Sequence, residues 1–306
     1  MNFKPEGALI NSPENQRCIS SPEGLSEALE KGFILEARAV MCTGSHDLIV
    51  ELPCAAGIIP REEGAVGIAE GTTRDIAIIS RVNKPVCFKI KELTLGDDGK
   101  VTAILSRRAA QEDCLTSYIS ALHCGDVIDA RVTHLEQFGC FVDIGCGIPS
   151  LIPIDAISVS RISHPSDRFR TGQYIRAVVK SRDSGRICLS HKELLGTWEQ
   201  NSSRFSAGET VSGIVRSVEE YGVFVELTPN LAGLAEPKEN ISPGQRVSAY
   251  IKAILPDKMK IKLVIVDVCE ESSFLPEPEY FINDGHISEW VYSTPVSGKQ
   301  IISRFE

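Results

Sequence analysis

The residues best suited to chemistry in this 306-residue chain are two aromatic pairs, each built around a glycine. Phe138-Gly139-Cys140-Phe141 and Tyr221-Gly222-Val223-Phe224 share the order aromatic, glycine, any residue, aromatic. Two rings beside a glycine make a platform on which a nucleic-acid base can stack, worth about 1–3 kcal/mol per base and tolerant of sequence. Cations stand near both pairs. Arg161, Arg168, Arg170, Arg176, Lys180, Arg182 and Arg186 form the densest basic run of the chain, and Lys258, Lys260 and Lys262 alternate after the second pair. Rings with neighbouring cations have the composition needed to hold unpaired nucleotides, base by ring and phosphate by charge.

Both pairs sit inside a module written twice. Gly125-Asp126-Val127-Ile128 precedes the first pair and Gly208-Glu209-Thr210-Val211 the second; 208 − 125 and 221 − 138 both give 83. An internal repeat fixes the architecture before any finer reading. After each glycine the hydrophobic period becomes two, which reads as strand. The spacing predicts strands at 126–135, 140–145, 149–152, 173–181 and 185–190 in one repeat, and at 209–218, 223–228, 232–235, 245–255 and 259–266 in the other. Five short strands with one longer excursion before the fourth suit a small closed barrel, which leaves no exposed edge. A fainter copy opens at Gly32, with Leu48–Leu52, Gly57-Ile58-Ile59-Pro60, Val86–Ile90 and Val101–Ser106 as its later strands. Short helices precede the repeats. Pro22–Lys31 has Ser21 as N-cap, Pro22 at the first position and Gly32 to end it; Leu115–Leu122 and Leu194–Phe205 are the other two. Along the second ring strand, Val142 and Ile144 facing the core would turn Phe141 and Asp143 outward.

Composition bounds the function. The net charge of −9 looks wrong for a nucleic-acid binder, but residues 1–30 and 271–306 together hold 4 basic and 11 acidic groups, seven of the nine excess charges. The repeats are near neutral, so each can carry a local basic face, while the acidic ends disfavour strong binding to duplex DNA. The ten cysteines include no Cys-x-x-Cys, and several lie in apolar strands; they read as reduced thiols of a cytoplasmic protein, with no metal site. No apolar run follows a basic start and none is long enough to span a bilayer, so neither secretory leader nor membrane helix is expected. Phosphate-loop, His-Glu-x-x-His and Gly-x-Ser-x-Gly motifs are missing, so no enzyme, catalytic residue or cofactor is expected.

The residues at Phe138–Asp143, Arg186-Ile187-Cys188-Leu189-Ser190-His191-Lys192, Tyr221–Glu226 and Leu231-Ala232-Gly233-Leu234 resemble the S1 RNA-binding domain, the OB-fold repeat of the bacterial ribosomal protein S1 family. The resemblance covers about three quarters of the chain. It implies a mostly β protein of three tandem five-stranded OB barrels with short helical spacers, binding single-stranded, mRNA-like RNA in connection with translation. The ribosome or another protein is a further partner. By position it implies an RNA-binding set of Phe138, Phe141, Lys180, Arg182, Arg186, Tyr221, Phe224 and Lys260. The expected domains are an extension with a helix (1–31), a degenerate barrel (32–114), two barrels (115–196 and 197–270) and an aromatic, acidic tail (271–306) that docks on the third repeat or on a partner. In the first repeat His46-Asp47-Leu48-Ile49 stands where the rings belong. The rival reading is a non-catalytic protein-interaction scaffold made of the same barrels.

Overall fold

The computed structural model describes residues 3–96, 99–183, 186–269 and 277–305. Fifteen of its strands close into three five-stranded barrels. The first contains β1 (Leu35–Cys42), β2 (Leu48–Leu52), β3 (Ala55–Ile59), β4 (Pro85–Leu95) and β5 (Val101–Ser106). The second contains β6 (Val127–Glu136), β7 (Gly139–Asp143), β8 (Pro149–Pro153), β9 (Tyr174–Asp183) and β10 (Arg186–Ser190). The third contains β11 (Thr210–Glu219), β12 (Gly222–Thr228), β13 (Leu231–Ala235), β14 (Arg246–Leu255) and β15 (Lys260–Val268). Each barrel has the same order: its first three strands form a meander, its fifth pairs in parallel with the third, and its fourth closes onto the first.

Period-two patterning explains the strands. Along β14, Val247, Ala249 and Ile251 are buried and their neighbours are more open. Of the three expected helices, one matches residue for residue. In α2 (Pro22–Lys31), after α1 (Pro13–Ile19), the Ser21 side chain accepts from the Gly24 N–H and Gly32 caps the end at φ +63°. The second starts earlier than the sequence indicated. Short α3 (Ile76–Ile79) is followed by α4 (Arg107–Ser117), with only a 3-10 turn at Ile119–Ala121. The Ser106 hydroxyl accepts from the Ala109 N–H and so begins the helix directly at the end of β5. The third is cut at Gly196 (φ +83°) into a 3-10 turn at Lys192–Leu195 and α5 (Trp198–Ser202), which the Thr197–Gln200 capping box restarts.

Contacts divide the chain into two compact units: one runs from the N-terminus to Leu122 and includes Asp143–Pro149, the other holds His123–Val142 and Ser150 onward. In the second unit the tail folds back over both barrels. It forms the hairpin β16 (Glu289–Val291) with β17 (Ile302–Arg304), and Trp290, Tyr292 and Phe305 join the core of Leu194, Trp198 and the third barrel. The Trp198 N–H donates to the Tyr292 carbonyl at 3.0 Å, and the Ile287 N–H to the Gly125 carbonyl of the second barrel at 2.9 Å. The tail therefore docks on two repeats. All ten cysteines are free thiols.

In the first unit, Glu36 of β1 is fully buried. One carboxylate oxygen accepts the N–H groups of Gly7 and Leu9, both at 3.0 Å, while Asn15 brackets its backbone through two 2.8 Å bonds. Burial raises the Glu36 carboxyl to about 7, and the two N–H groups only partly oppose this. A folded value above the unfolded one means that the stability this group contributes is full below about pH 4.5 and is lost as pH rises through 7. The amide of Glu36→Gln keeps an acceptor and cannot ionise. The variant should lose about 1–3 kcal/mol less stability than the parent between pH 5 and pH 8. Denaturant unfolding at the two pH values checks this, and an unchanged difference would contradict it.

Candidate nucleic-acid interface

The aromatic-glycine step is built by two strands that come very close. At Gly139 an added Cβ would lie 2.6 Å from the Ile152 carbonyl oxygen of β8, and at Gly222 2.5 Å from the Ala235 carbonyl oxygen of β13. Only glycine lets the neighbouring backbone pass there. The same missing Cβ makes room for a leucine on the outer face: Leu151 Cδ1 is 3.1 Å from the Gly139 position and Leu234 Cδ1 2.9 Å from that of Gly222. The glycine thus sets both the register of the strands and the flat surface beside the rings.

Phe138, in the turn between β6 and β7, is 57% exposed, and Tyr221, in the matching turn, is 67% exposed. The second ring of each pair, Phe141 or Phe224, is half-buried on its strand. Phe138 and Phe141 meet edge to face with centroids 5.9 Å apart; Tyr221 and Phe224 do so at 6.2 Å. The two pairs have the same geometry, a common one for aromatic contacts.

Register places the cations. In the third barrel Ser217, Phe224, Leu234 and Lys262 face one another in a row across β11, β12, β13 and β15. Opposed residues share a face, so Lys262 and, two positions earlier, Lys260 lie on the ring side, both exposed. In the second barrel Leu151 of β8 opposes Cys188 of β10, and Arg186 lies two positions before Cys188 on the same exposed face. Arg186 and Phe141 therefore share the outer surface, with Leu151 between them. Lys180 is exposed as the extra residue of the β9 bulge, where Cys188 opposes Ser181 but Leu189 opposes Val179. Arg182 is exposed but opposes Ile187, on the other side of the ladder from Arg186.

Two features sharpen the sequence reading. His134 stacks on Phe141 with centroids 6.5 Å apart and planes 27° apart, and its ring contacts Glu136 at 2.7 Å. Lys262 completes the third-barrel row. The period-two pattern assigned a side to each strand, but only the cross-strand pairing shows which residues meet.

One expectation is corrected. Asp143 does not lie exposed beside Phe141: it is 3% exposed. Its Oδ2 accepts the Glu6 N–H at 2.7 Å, and its Oδ1 accepts the N–H groups of Gly145 and Gly147 at 2.8 and 3.0 Å. Burial, then the charge of Glu6, raises its carboxyl to about 7. Glu6 itself is held below the usual carboxylate range; burial pushes it up, but the Arg107 guanidinium at 2.6 Å and Arg81 outweigh that. Glu226, the matching acid of the third barrel, is also buried, and pairs with Arg168 and with Arg216 at 2.9 and 3.1 Å. Both acids do point out of their barrels, as alternation requires, and both are covered by another segment of the chain.

The first barrel has the same row with other chemistry. Met41, Ile49, Ile58 and Ile104 oppose one another across β1, β2, β3 and β5. Aliphatic side chains fill the positions of ring, leucine and lysine, with Met41 51% exposed.

Three barrels of this topology, two carrying exposed ring pairs flanked by cations, define a tandem OB-barrel protein. Residues 122–192 match the family described as S1 RNA binding domain. The small ribosomal subunit protein bS1 of Staphylococcus epidermidis is 30% identical over 277 residues, covering 85% of this chain and 68% of the relative. That of Staphylococcus aureus is 29% identical over the same shares. The chain belongs to the bS1 family. Among solved structures, a Streptococcus pneumoniae multidomain protein with nucleic acid binding domains is 14% identical, covering 79% of this chain and 75% of that one at a TM-score of 0.25.

Gly139→Ala would force β7 and β8 apart at the Ile152 carbonyl. It should destabilise the protein by about 1–3 kcal/mol, read from chemical denaturation; an unchanged midpoint would show that the close approach is not required.

Proposed function

We propose that this chain acts by binding and not by catalysis, holding single-stranded, mRNA-like RNA on the outer faces of its second and third barrels during translation. The observation that carries this reading is the outward placement of Phe138 and Phe141 in mutual contact, with Arg186 on the same barrel face. A half-open ring pair contributes little to the core it abuts, and exposed apolar surface rimmed by charge marks an interaction site. Bases stack on Phe138, Phe141, Tyr221 and Phe224, and His134 lengthens the first platform. Arg186, Lys260 and Lys262 meet phosphates beside the rings, while Lys180 and Arg182 add positive field at the β9–β10 hairpin. The domain division given above, at 31, 114, 196 and 270, makes each barrel one repeat, of which the second and third bind RNA.

The family's name places its members on the small ribosomal subunit, so the ribosome is a partner and the cytoplasm the compartment of this reading. Among the described residues no helix is long and apolar enough to cross a membrane. A protein contact is favoured for the first barrel alone. Its aliphatic row offers no stacking face and no cation for phosphate, and suits an apolar protein surface better than RNA.

Phe141→Ala should weaken binding of a short single-stranded RNA by about 1–3 kcal/mol in a variant that keeps its circular dichroism; an unchanged dissociation constant would remove the platform from the mechanism. With three or four phosphate contacts, the logarithm of affinity should fall against the logarithm of salt with a slope of about −2 to −3. A flat response would exclude the cations.

A further inference from the structure

A cleft of about 380 Å³ opens in the second unit, apart from both ring pairs. Its floor is the outer face of the third barrel, where Arg246, Ile214 and Glu226 oppose one another across β14, β11 and β12. Arg168 and Phe169, from the long loop before β9, form one wall, and the returning tail brings Phe281 to the mouth.

The lining holds four arginines and four carboxylates, but they are not matched one to one. Arg168, Arg216 and Arg246 share two carboxylates, Glu226 and Asp167, the latter 3.4 Å from Arg216. Glu226 already accepts three hydrogen bonds, one from Arg168 and two from the fork of Arg216. The Nε of Arg168 has no hydrogen-bond partner although the residue is only 8% exposed, and among the described residues the Arg246 guanidinium has none either. Burial, and then the charge of Arg216, hold Arg168 below the usual arginine range even with Glu226 against it. The Arg168 Nε is closed to solvent, so the donor that an anion in the cleft would meet is Arg246, half-buried on the floor beside Arg168 and Arg216.

We propose that the cleft is a binding site for a nucleotide phosphate. Guanidinium groups match phosphate oxygens in geometry as well as charge. The volume lies in the range of small-molecule sites, and Leu195, Ile214 and Phe281 supply an apolar wall for a flat ring body. The mouth selects against further charge. Glu279 there is neutralised by Arg204 through bonds of 2.7 and 2.8 Å, but among the described residues Glu277 meets only the Gln173 amide at 3.4 Å. A single phosphate seated deep is therefore preferred to a polyphosphate whose tail would reach Glu277.

Calorimetric titration of the full chain with adenosine 5′-monophosphate and with inorganic phosphate tests this. Saturable one-site binding is expected for both, with none for adenosine. Arg246→Gln, a change at a partly open strand position, should weaken it about tenfold or more. Ser212→Phe should block it by filling the floor. Phe141→Ala should leave mononucleotide binding intact while weakening RNA, which separates this site from the stacking faces. If mononucleotides do not bind but Arg246→Gln weakens a single-stranded RNA tenfold, the phosphate comes from the strand itself and the site stands. No saturable binding of either probe at millimolar concentration, with RNA affinity unchanged in Arg246→Gln, overturns the proposal. So does equal mononucleotide affinity in the parent and both cleft variants.

Discussion

Glu226 is the interaction on which the arrangement of the second unit depends. A carboxylate at an outward strand position is ordinarily solvated. Here two arginines, one from its own barrel and one from the loop of the preceding barrel, close over it. Removing Glu226 would leave the buried Arg168 guanidinium without its carboxylate, a loss of about 3–5 kcal/mol. The contact thus holds two repeats together and also forms part of the charged floor of the cleft. Asp143 follows the same logic in the first unit with neutral donors: three backbone N–H groups meet its two oxygens, and Glu6 supplies one of them. In both repeats the acid of the motif secures a neighbouring segment, which leaves the rings two residues earlier as the part of the strand that stays open.

The three outer faces show how one backbone carries different chemistry. Strand order and register are the same, and so is the row that crosses four strands. What differs is the side chain at each crossing: phenylalanine, leucine and lysine in the third barrel, three isoleucines in the first. The glycine that permits close approach of the second and third strands is common to the two ring-bearing barrels.

Much of this was legible in the chain itself. The strands followed from period-two alternation, and α2 from Ser21, Pro22 and Gly32, because those signals act within a few residues of the element they define. The ring positions followed from the repeat. The fate of Asp143 did not, because the segment covering it is 137 residues away. Alternation gives the side of the strand to which an acid points, not what else packs there. The same limit hid His134, which gains its partner only when β6 and β7 pair, and left open which of the alternating lysines shares a row with Phe224. The helix expected at Leu194–Phe205 failed locally: Gly196 adopts a left-handed conformation that no helix interior accommodates.

The docking of the tail has a consequence for affinity. Residues beyond Glu277 bond to the strand-leading turn of the second barrel and enter the core of the third, so the tail ties these two cylinders together. A polymer captured by one would meet the other at a local concentration set by fixed spacing, without the entropy loss that a floppy tether imposes. Any avidity between the two barrels would then depend on the carboxy-terminal strap, far in sequence from either ring pair.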